Sequence, residues 1–152
     1  MNFNCNGTEI DIQYLNDNCR LSKGTKGALA FDARANIVEP IVLKAGMTFT
    51  VPLGFRVDTK EESLGLFLFN RSGLSCGNGL MIMNCVGIID SDYRGEVMVA
   101  LHNHTDISAE IECGERVAQL VITPFLKAEF NLVDELSDTV RGEGGFGSTG
   151  SK

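Results

Sequence analysis

The chain has 152 residues and a formal net charge of −7. This length suits one domain with a real hydrophobic core. The acidic excess speaks against a nucleic-acid surface, because phosphate backbones are bound by clustered Lys and Arg. No apolar run approaches the ~18–20 residues of a membrane span, and residues 1–5 lack the basic end and apolar centre of a signal peptide. We therefore expect a soluble, cytoplasmic protein that contacts neither nucleic acid nor membrane.

Short apolar or alternating segments recur along the chain, separated by turn residues. The first, residues 9–15, alternates with Ile10, Ile12 and Tyr14 on one face, as in a half-buried strand. Residues 64–69 are apolar on both faces, which indicates a fully buried strand. Short strands without a helix of three turns predict an all-β barrel or sandwich. The other predicted strands are residues 28–37, 41–43, 47–53, 55–57, 80–83, 97–101, 117–122 and 128–133.

Polar residues and a glycine come directly after the buried strand at residues 64–69. They are Asn70, Arg71, Ser72 and Gly73. A segment of this kind can open a single helical turn whose free N–H groups suit an anion. We therefore predict such a turn in this segment.

A charged cluster separates two apolar runs within residues 87–97. Ile88 and Ile89 lead straight into Asp90, and Tyr93 follows three residues later. Turn propensity explains the small and polar residues around them. It explains neither a carboxylate directly after two β-branched residues nor the aromatic ring. Because reactive groups tend to lie on loops held by a rigid scaffold, we interpret the chain as a scaffold for this loop.

The C-terminal stretch, residues 141–150, is rich in glycine and has no propensity for helix or strand. A disordered terminus is the simpler interpretation. Arg141 and Phe146 among the glycines instead favour an arm that carries a cation and a stacking ring over a ligand. We predict a barrel domain over residues 1–136 and a flexible arm over residues 137–152.

Five separated segments, in order, resemble the motifs of the homotrimeric dUTP pyrophosphatases (dUTPases). The segments are residues 30–35, 71–74, 87–97, 114–120 and 141–150. The third and fifth are close to diagnostic, and the resemblance covers nearly the whole chain. The chain departs from the family pattern at Ala30, Ala33 and Asn70, where Gly, Leu and Pro are usual. A lysine that often follows the second motif is also absent.

The resemblance implies a jelly-roll-like β-barrel assembled as a homotrimer. In the family, three active sites lie at subunit boundaries, each takes motifs from all three chains, and the C-terminal arm reaches a neighbour. The family hydrolyses dUTP to dUMP and pyrophosphate by in-line attack of water on the α-phosphorus. This reaction keeps uracil out of DNA and supplies dUMP for thymidylate synthesis. We expect the same fold, assembly and activity here.

The resemblance also assigns roles to residues of the third motif. Asp90 is the expected general base that relieves the attacking water of a proton. Tyr93 is expected against the deoxyribose, where a 2′-hydroxyl would clash. The uracil pocket is expected in the hairpin of residues 80–93, which includes Asn84 and Gly87. The simpler alternatives are that Asp90 caps a turn and that Tyr93 packs on the barrel.

The expected phosphate ligands come from the second, fourth and fifth motifs. Arg71 and Ser72, with Gly73, are candidates for the α- and β-phosphates, and Gln119 is expected nearby. Arg71 in a surface salt bridge and Gln119 as an ordinary strand residue remain the alternatives. The arm supplies the other candidates: Arg141 for the γ-phosphate, Phe146 for stacking on uracil, and Gly147, Ser148 and Thr149 for the terminal phosphate.

Mg²⁺ is implied by the triphosphate more than by any protein ligand set. Asp32 could touch the waters of the ion, or it could pair with Arg34. Two other functions fit parts of the pattern: a dUTP-responsive regulatory or interaction protein, and dCTP deaminase. The deaminase places a glutamate on the strand after the third motif, and residues 97–101 contain no carboxylate.

Overall fold

Antiparallel β-strands form nearly all the regular structure of the computed structural model, which describes residues 8–145. They pair into four sheets, in the orders β1-β5, β3-β10, β2-β11-β6-β8 and β4-β9-β7. No helix among the described residues is long and apolar enough to cross a membrane. The strands are β1 Asp11–Tyr14, β2 Phe31–Arg34, β3 Ile41–Leu43, β4 Thr48–Pro52, β5 Phe55–Asp58, β6 Leu64–Phe69, β7 Leu80–Ile82, β8 Gly87–Ile89, β9 Met98–Asn103, β10 Ala109–Ile111 and β11 Arg116–Pro124.

All four sheets contribute side chains to one hydrophobic core. Phe55, Leu66, Leu101 and Ile111 each come from a different sheet, and all four are 0 % exposed. They belong to a single cluster of buried side chains. Because one core holds the sheets together, the predicted all-β, jelly-roll-like fold is confirmed.

Most predicted strands are present, with ends shifted by a few residues. The strands at residues 41–43 and 64–69 have the predicted bounds. The strand predicted at residues 128–133 is wrong, because residues 125–145 contain no strand. Phe130 and Leu132 there are 96 % and 101 % exposed, so the apolar pattern has no sheet of this chain to pack on. β10 was not predicted, because Glu110 interrupts its apolar residues, whereas the equally short β3 is an unbroken apolar run.

Strand β6 separates two groups of candidate site residues. Leu66 pairs with Ile89 on β8, so Asp90 continues β8 opposite Gly65 at the start of β6. Arg71 instead follows the other end of β6, which closes at Phe69. Four strand steps of about 3.4 Å separate Gly65 from Phe69, or about 14 Å. Asp90 and Arg71 therefore lie at opposite ends of this strand.

Candidate active site

Asp90 comes directly after β8 and lines a cavity of about 200 Å³. Ile89, the residue before it, is buried in the core, so the strand fixes the direction in which the Asp90 side chain leaves the backbone. Among residues 8–145, no hydrogen-bond donor contacts that carboxylate, which leaves its oxygens open to water. The cavity is lined by Ile88, Ile89, Asp90, Tyr93, Val97 and Met98.

Tyr93, which faces the same cavity, is folded back onto its own loop. Its hydroxyl donates a hydrogen bond of 2.9 Å to the Glu96 carbonyl. A Cβ atom on Gly95 would lie 2.3 Å from the Tyr93 Oη and 2.5 Å from Cζ. Only glycine therefore fits beneath the ring.

Side chains, more than backbone bonds, hold the loop of residues 90–96. The Tyr93 N–H donates to the Asp90 carbonyl at 3.1 Å, as in a turn. The Arg94 guanidinium then donates to the carbonyls of Ser91 at 2.7 Å and Tyr93 at 3.2 Å. Its other terminal nitrogen contacts the Asp58 carboxylate on β5 at 2.8 Å. Arg94 thus ties the loop to a neighbouring strand.

Glu96 ties the far end of this loop to two other turns. Its Oε1 accepts hydrogen bonds from Asn36 Nδ2 at 3.0 Å and from the Gly54 N–H at 2.9 Å. The Asn36 side chain also accepts from Asn16 Nδ2 at 2.9 Å. No role was predicted for Arg94 or Glu96, because charged turn residues usually face solvent. Both residues lie within the third motif, and this was the sequence signal that could have identified them.

Asp32 holds two arginines at once. Its Oδ1 lies 3.1 Å from Arg71 Nε, and its Oδ2 lies 3.1 Å from Arg116 Nη1. Arg71 Nη1 also donates to the Arg116 carbonyl at 3.0 Å. The predicted alternative, an ion pair between Asp32 and Arg34, is wrong, since Arg34 donates to the Gly114 carbonyl at 2.9 Å. Arg116 lay inside the fourth motif, but the sequence could not show which carboxylate it meets.

Arg71, Asp32 and Gln119 line a second cavity, of about 540 Å³. Gln119 on β11 lies opposite Asp32 on β2, which brings the predicted phosphate ligand Gln119 next to the arginine pair. One carboxylate against two guanidinium groups leaves a local charge of about +1. Arg116 does not line the cavity itself, but its pair with Asp32 places this surplus beside the cavity, where it can attract an anion.

Ser72 and Gly73 follow Arg71 at the predicted helical turn, which spans Gly73–Gly77 and is confirmed. Ser72 occupies the N-cap position but makes no capping hydrogen bond with its side chain. Ser72 and Gly73 are both exposed beside Arg71, on the sheet end away from Asp90. The turn therefore accompanies the arginine cavity.

The hairpin between β7 and β8 carries Asn84 and Gly87. Asn84 is exposed in the turn, and Gly87 begins β8. A Cβ on Gly87 would lie 3.1 Å from the Leu68 Cβ, so this position packs tightly against β6. Asn70 Oδ1 accepts from the Ile82 N–H at 2.6 Å, which links the hairpin to the residue before Arg71. A proline, usual at this family position, could not make that bond.

Arg141 is exposed in the segment after β11. Its Nε donates to the Gly144 carbonyl at 3.0 Å, within a local turn. It lines neither the Asp90 cavity nor the Arg71 cavity. The other predicted arm residues lie outside the described part of the chain: Phe146, Gly147, Ser148 and Thr149.

The described residues do not build a metal centre of their own. In residues 8–145, no group of three or more His, Cys, Asp or Glu side chains is arranged to hold an ion. Each carboxylate oxygen of Asp32 already faces a guanidinium, which is a poor setting for a direct cation ligand. The water-mediated role of Asp32 stays a prediction.

Comparison with known proteins gives one consistent result. The sequence model of a family described as dUTPase matches residues 19–150. The deoxyuridine 5′-triphosphate nucleotidohydrolase of Glaesserella parasuis serovar 5 is 43% identical over 128 residues, 84% of this chain and 85% of that protein. The protein of the same name from Hahella chejuensis is 44% identical over 128 residues, 84% of each chain.

Solved structures agree with the sequence comparison. The Staphylococcus bacteriophage 80alpha dUTPase with dUPNHPP matches with a TM-score of 0.83 and 28% identity, over 95% of this chain and 99% of that chain. The dUTPase from Streptococcus mutans matches with a TM-score of 0.71 and 30% identity, over 80% of this chain and 98% of that chain. The similarity therefore spans nearly the full length of both solved chains.

Proposed function

The chain belongs to the dUTPase family, and we propose that it is an enzyme that hydrolyses dUTP to dUMP and pyrophosphate. The observation that carries this proposal is the Asp90 carboxylate, held at the end of β8 beside the Tyr93 ring in a cavity of about 200 Å³. Its oxygens have no donor among the described residues. An exposed carboxylate without a donor can accept a proton, which suits the activation of a water molecule.

In the proposed reaction, Asp90 accepts a proton from a water that attacks the α-phosphorus in line. The new bond joins that water oxygen to phosphorus, and the bond to the oxygen that bridges to the β-phosphorus breaks. Pyrophosphate leaves with the electron pair of that bond. The buried neighbour Ile89 supports this role, because it prevents the carboxylate from turning away with the backbone.

The proposed phosphate contacts use the second cavity and the arm. Arg71 and Gln119 line that cavity, and Ser72 and Gly73 follow Arg71 in the chain. Asp32 positions Arg71 without neutralising the whole cluster, because Arg116 shares the same carboxylate. The local positive charge would act on the α- and β-phosphates. Contacts to the γ-phosphate and the uracil ring are proposed for the arm: Arg141, Phe146, Gly147, Ser148 and Thr149.

The hairpin that carries Asn84 and Gly87 is the proposed uracil site. Backbone N–H and C=O groups there would pair with uracil, and cytosine presents a donor where uracil presents an acceptor. Leaving such groups unpaired costs a factor on the order of 10⁴ in selectivity. Tyr93, held over Gly95, would lie against the deoxyribose and exclude a 2′-hydroxyl.

We propose that the enzyme is a homotrimer whose sites are shared. Asp90 and Arg71 lie at opposite ends of β6, and the Arg71 guanidinium points towards β2, on the sheet edge opposite β8. Asp90 and Arg71 of one chain are therefore poorly placed to act on the same triphosphate. The apolar side chains of Phe130 and Leu132, fully exposed after β11, support contact with a neighbouring subunit.

Mg²⁺ is proposed as a cofactor that arrives with the triphosphate and offsets its negative charge. We propose a barrel domain over residues 1–136 and a flexible arm over residues 137–152; the last strand of the described residues ends at Pro124. We also place the enzyme in the cytoplasm. The cysteines of residues 8–145 are all free, which supports a reducing compartment: Cys19, Cys76, Cys85 and Cys113.

The test is to supply dUTP, dCTP, dTTP and UTP separately with Mg²⁺ and to measure pyrophosphate release. We expect release from dUTP far above the other three. Equal rates on dTTP or UTP, or no release from dUTP, would overturn the proposal. Light scattering under the same conditions tests the trimer, and a monomer with full activity would exclude shared sites.

Two alternatives remain as outcomes of this test. The bacteriophage 80alpha structure is described as one of phage dUTPases that control transfer of virulence genes by a proto-oncogenic G protein-like mechanism. Binding of dUTP without turnover would favour a regulatory role of this class. Release of ammonia from dCTP would favour a deaminase, but β9 carries no carboxylate, and Glu96 before it is engaged by Asn36 and Gly54.

A further inference from the structure

Glu96 has no part in the reaction described above, yet its carboxylate is held by two hydrogen bonds at the end of the Tyr93 loop. We propose that Glu96 is a positioning residue that sets the Tyr93 ring and thereby the discrimination between deoxyribose and ribose. This inference rests on the proposed dUTPase function and on Tyr93 as the residue that meets the sugar.

Tyr93 and Glu96 are in direct contact. The Tyr93 hydroxyl donates to the Glu96 main-chain carbonyl at 2.9 Å. The ring can therefore keep its place only while that carbonyl keeps its direction. Arg94 anchors the Tyr93 side of the loop, and Gly95 has no side chain, so the Glu96 carbonyl is anchored by Glu96 and the residues after it.

Hydrogen bonds of Val97 and of the Glu96 carboxylate fix the Glu96 carbonyl. On its C-terminal side, the Val97 N–H donates to the Phe55 carbonyl at 2.9 Å, and the Val97 carbonyl accepts from the Leu53 N–H at 3.0 Å. On the Glu96 side, the carboxylate accepts from Asn36 and Gly54. Both anchors meet the bend between β4 and β5, so the peptide that receives the Tyr93 hydroxyl is held from two directions.

The bend itself has little freedom to follow a displaced Glu96. Gly54 is buried with a φ of +74°, and a Cβ there would lie 2.8 Å from the Cys19 Cβ. Asn36 is held in turn by Asn16. Because the partners of the carboxylate are rigid, they fix the position of Glu96. The Glu96 carbonyl in turn fixes the Tyr93 ring.

The geometry also separates positioning from catalysis. Glu96 does not line the cavity that holds Asp90 and Tyr93. Both of its hydrogen bonds use Oε1 as a plain acceptor. A glutamine places an acceptor oxygen at the same position and needs no negative charge, whereas an alanine leaves the two donors unpaired.

The kinetic experiment compares kcat/KM for dUTP and for UTP in wild type, Glu96→Gln, Glu96→Ala and Glu110→Ala. Glu110 is an exposed glutamate on β10 and controls for the loss of charge. We expect Glu96→Ala to lower the preference for dUTP over UTP by about tenfold, mainly through KM, and Glu96→Gln and Glu110→Ala to retain it. An unchanged preference in Glu96→Ala, or an equal loss in Glu96→Gln, would overturn the inference.

A spectroscopic readout separates ring position from general destabilisation. The chain has two tyrosines and no tryptophan, so Tyr14→Phe leaves Tyr93 as the only fluorescent tyrosine. In that background, Glu96→Ala should speed the decay of Tyr93 fluorescence anisotropy, and Glu96→Gln should not. Unchanged anisotropy in Glu96→Ala would overturn the inference, even if the protein were less stable.

Tyr93→Phe tests the same link should Glu96→Ala fail to fold. It removes only the hydroxyl that meets the Glu96 carbonyl. A reduced dUTP preference supports the inference, and a wild-type preference contradicts it. A wild-type protein that does not hydrolyse dUTP would instead defeat the proposed function, so the two failures are distinct.

Discussion

The Tyr93 ring lies so close over Gly95 that a Cβ at position 95 would be 2.3 Å from the tyrosine Oη. Real Cβ atoms do not make contacts this short, so a second side chain would displace the ring. Gly95 is therefore needed for the packing of the Tyr93 ring as well as for the turn.

Gly95→Ala should move Tyr93 and weaken the contact with deoxyribose. We expect kcat/KM for dUTP to fall by about tenfold or more, with a smaller fall for UTP, because misplacement of a substrate-positioning group lowers rates steeply. Steady-state kinetics with both nucleotides checks this. Gly77→Ala is the matched control, since a Cβ there meets nothing within 4 Å. Equal effects of the two substitutions would contradict this interpretation.

Asp90→Asn should separate binding from turnover. The amide retains the shape of the side chain but cannot accept the proton of the attacking water, so we expect kcat to fall by about 10²–10⁴. Calorimetry with a non-hydrolysable dUTP analogue should give an affinity close to wild type. Asp106→Asn, in the exposed turn after β9, is the control. Normal turnover in Asp90→Asn would remove Asp90 from the role of base.

Asp32→Asn should destabilise the fold by about 2 kcal/mol, because it leaves two guanidinium groups side by side without their shared anion. This value is set below that of a fully buried pair, since the Arg71 and Arg116 side chains are 22% and 46% exposed. Urea unfolding at fixed protein concentration measures it. Asp17→Asn breaks an exposed pair with Arg20 and should change stability by less than about 0.5 kcal/mol. Similar losses in both variants would refute the anchoring role of Asp32.

Cys19 should resist alkylation until the barrel unfolds. It is buried, its thiol lies 3.7 Å from the Ala35 carbonyl, and Cys113 is exposed as an internal control. Burial raises the pKa of the Cys19 thiol above its ordinary value of 9.0, against the lowering effect of Arg34 and with a smaller raising effect of Glu96. Mass spectrometry of iodoacetamide-treated protein should find label on Cys113 well before Cys19. Equal labelling of Cys19 and Cys113 would show that the structure around Cys19 opens readily.

The same pKa shift predicts a pH dependence of stability. The folded state favours the protonated thiol, so its contribution is fully present below the unfolded pKa of 9.0 and is lost as pH rises through the higher folded value. The free energy of unfolding of wild type should therefore fall more steeply above pH 9 than that of Cys19→Ala. Parallel curves for the two proteins would contradict the predicted shift.

Removal of residues 141–152 should reduce turnover by about 100-fold or more while the barrel stays folded, because an arm that closes over the ligand excludes water and positions phosphate. Pyrophosphate release and thermal unfolding measure the two effects. Removal of residues 151–152 alone, beyond the fifth motif, is the control. An unfolded product would show instead that the arm stabilises the barrel.

Much of the fold could be predicted because period-two patterns and turn residues are local properties. The strand at residues 64–69 was predictable from its apolar residues, but burial of both faces was not confirmed: Leu64, Leu66 and Leu68 are buried, whereas Phe69 on the other face is 39% exposed. Residues 128–133 misled the prediction because alternation shows only that a segment can bury one face. Whether another surface covers it depends on packing beyond that segment.

Positions within the candidate site were less predictable than its residues. The motif pattern marked Asp32, Arg71 and Asp90, but it could not show that Asp32 pairs with Arg71 and Arg116 in preference to Arg34. Those partners lie 39 and 84 residues away in sequence, and their meeting depends on the order of β2, β11 and β6 in one sheet. Non-local registers of this kind leave no periodic signal.

The shared carboxylate of Asp32 also restricts how such sequences can diverge. Loss of Arg116 leaves a neutral pair with Arg71, whereas loss of Asp32 first leaves two guanidinium groups without their shared anion. The cost of replacing one member therefore depends on which of the others is still present. A lineage that gives up this arrangement has to lose an arginine before the aspartate, so the three positions should vary together and in a preferred order.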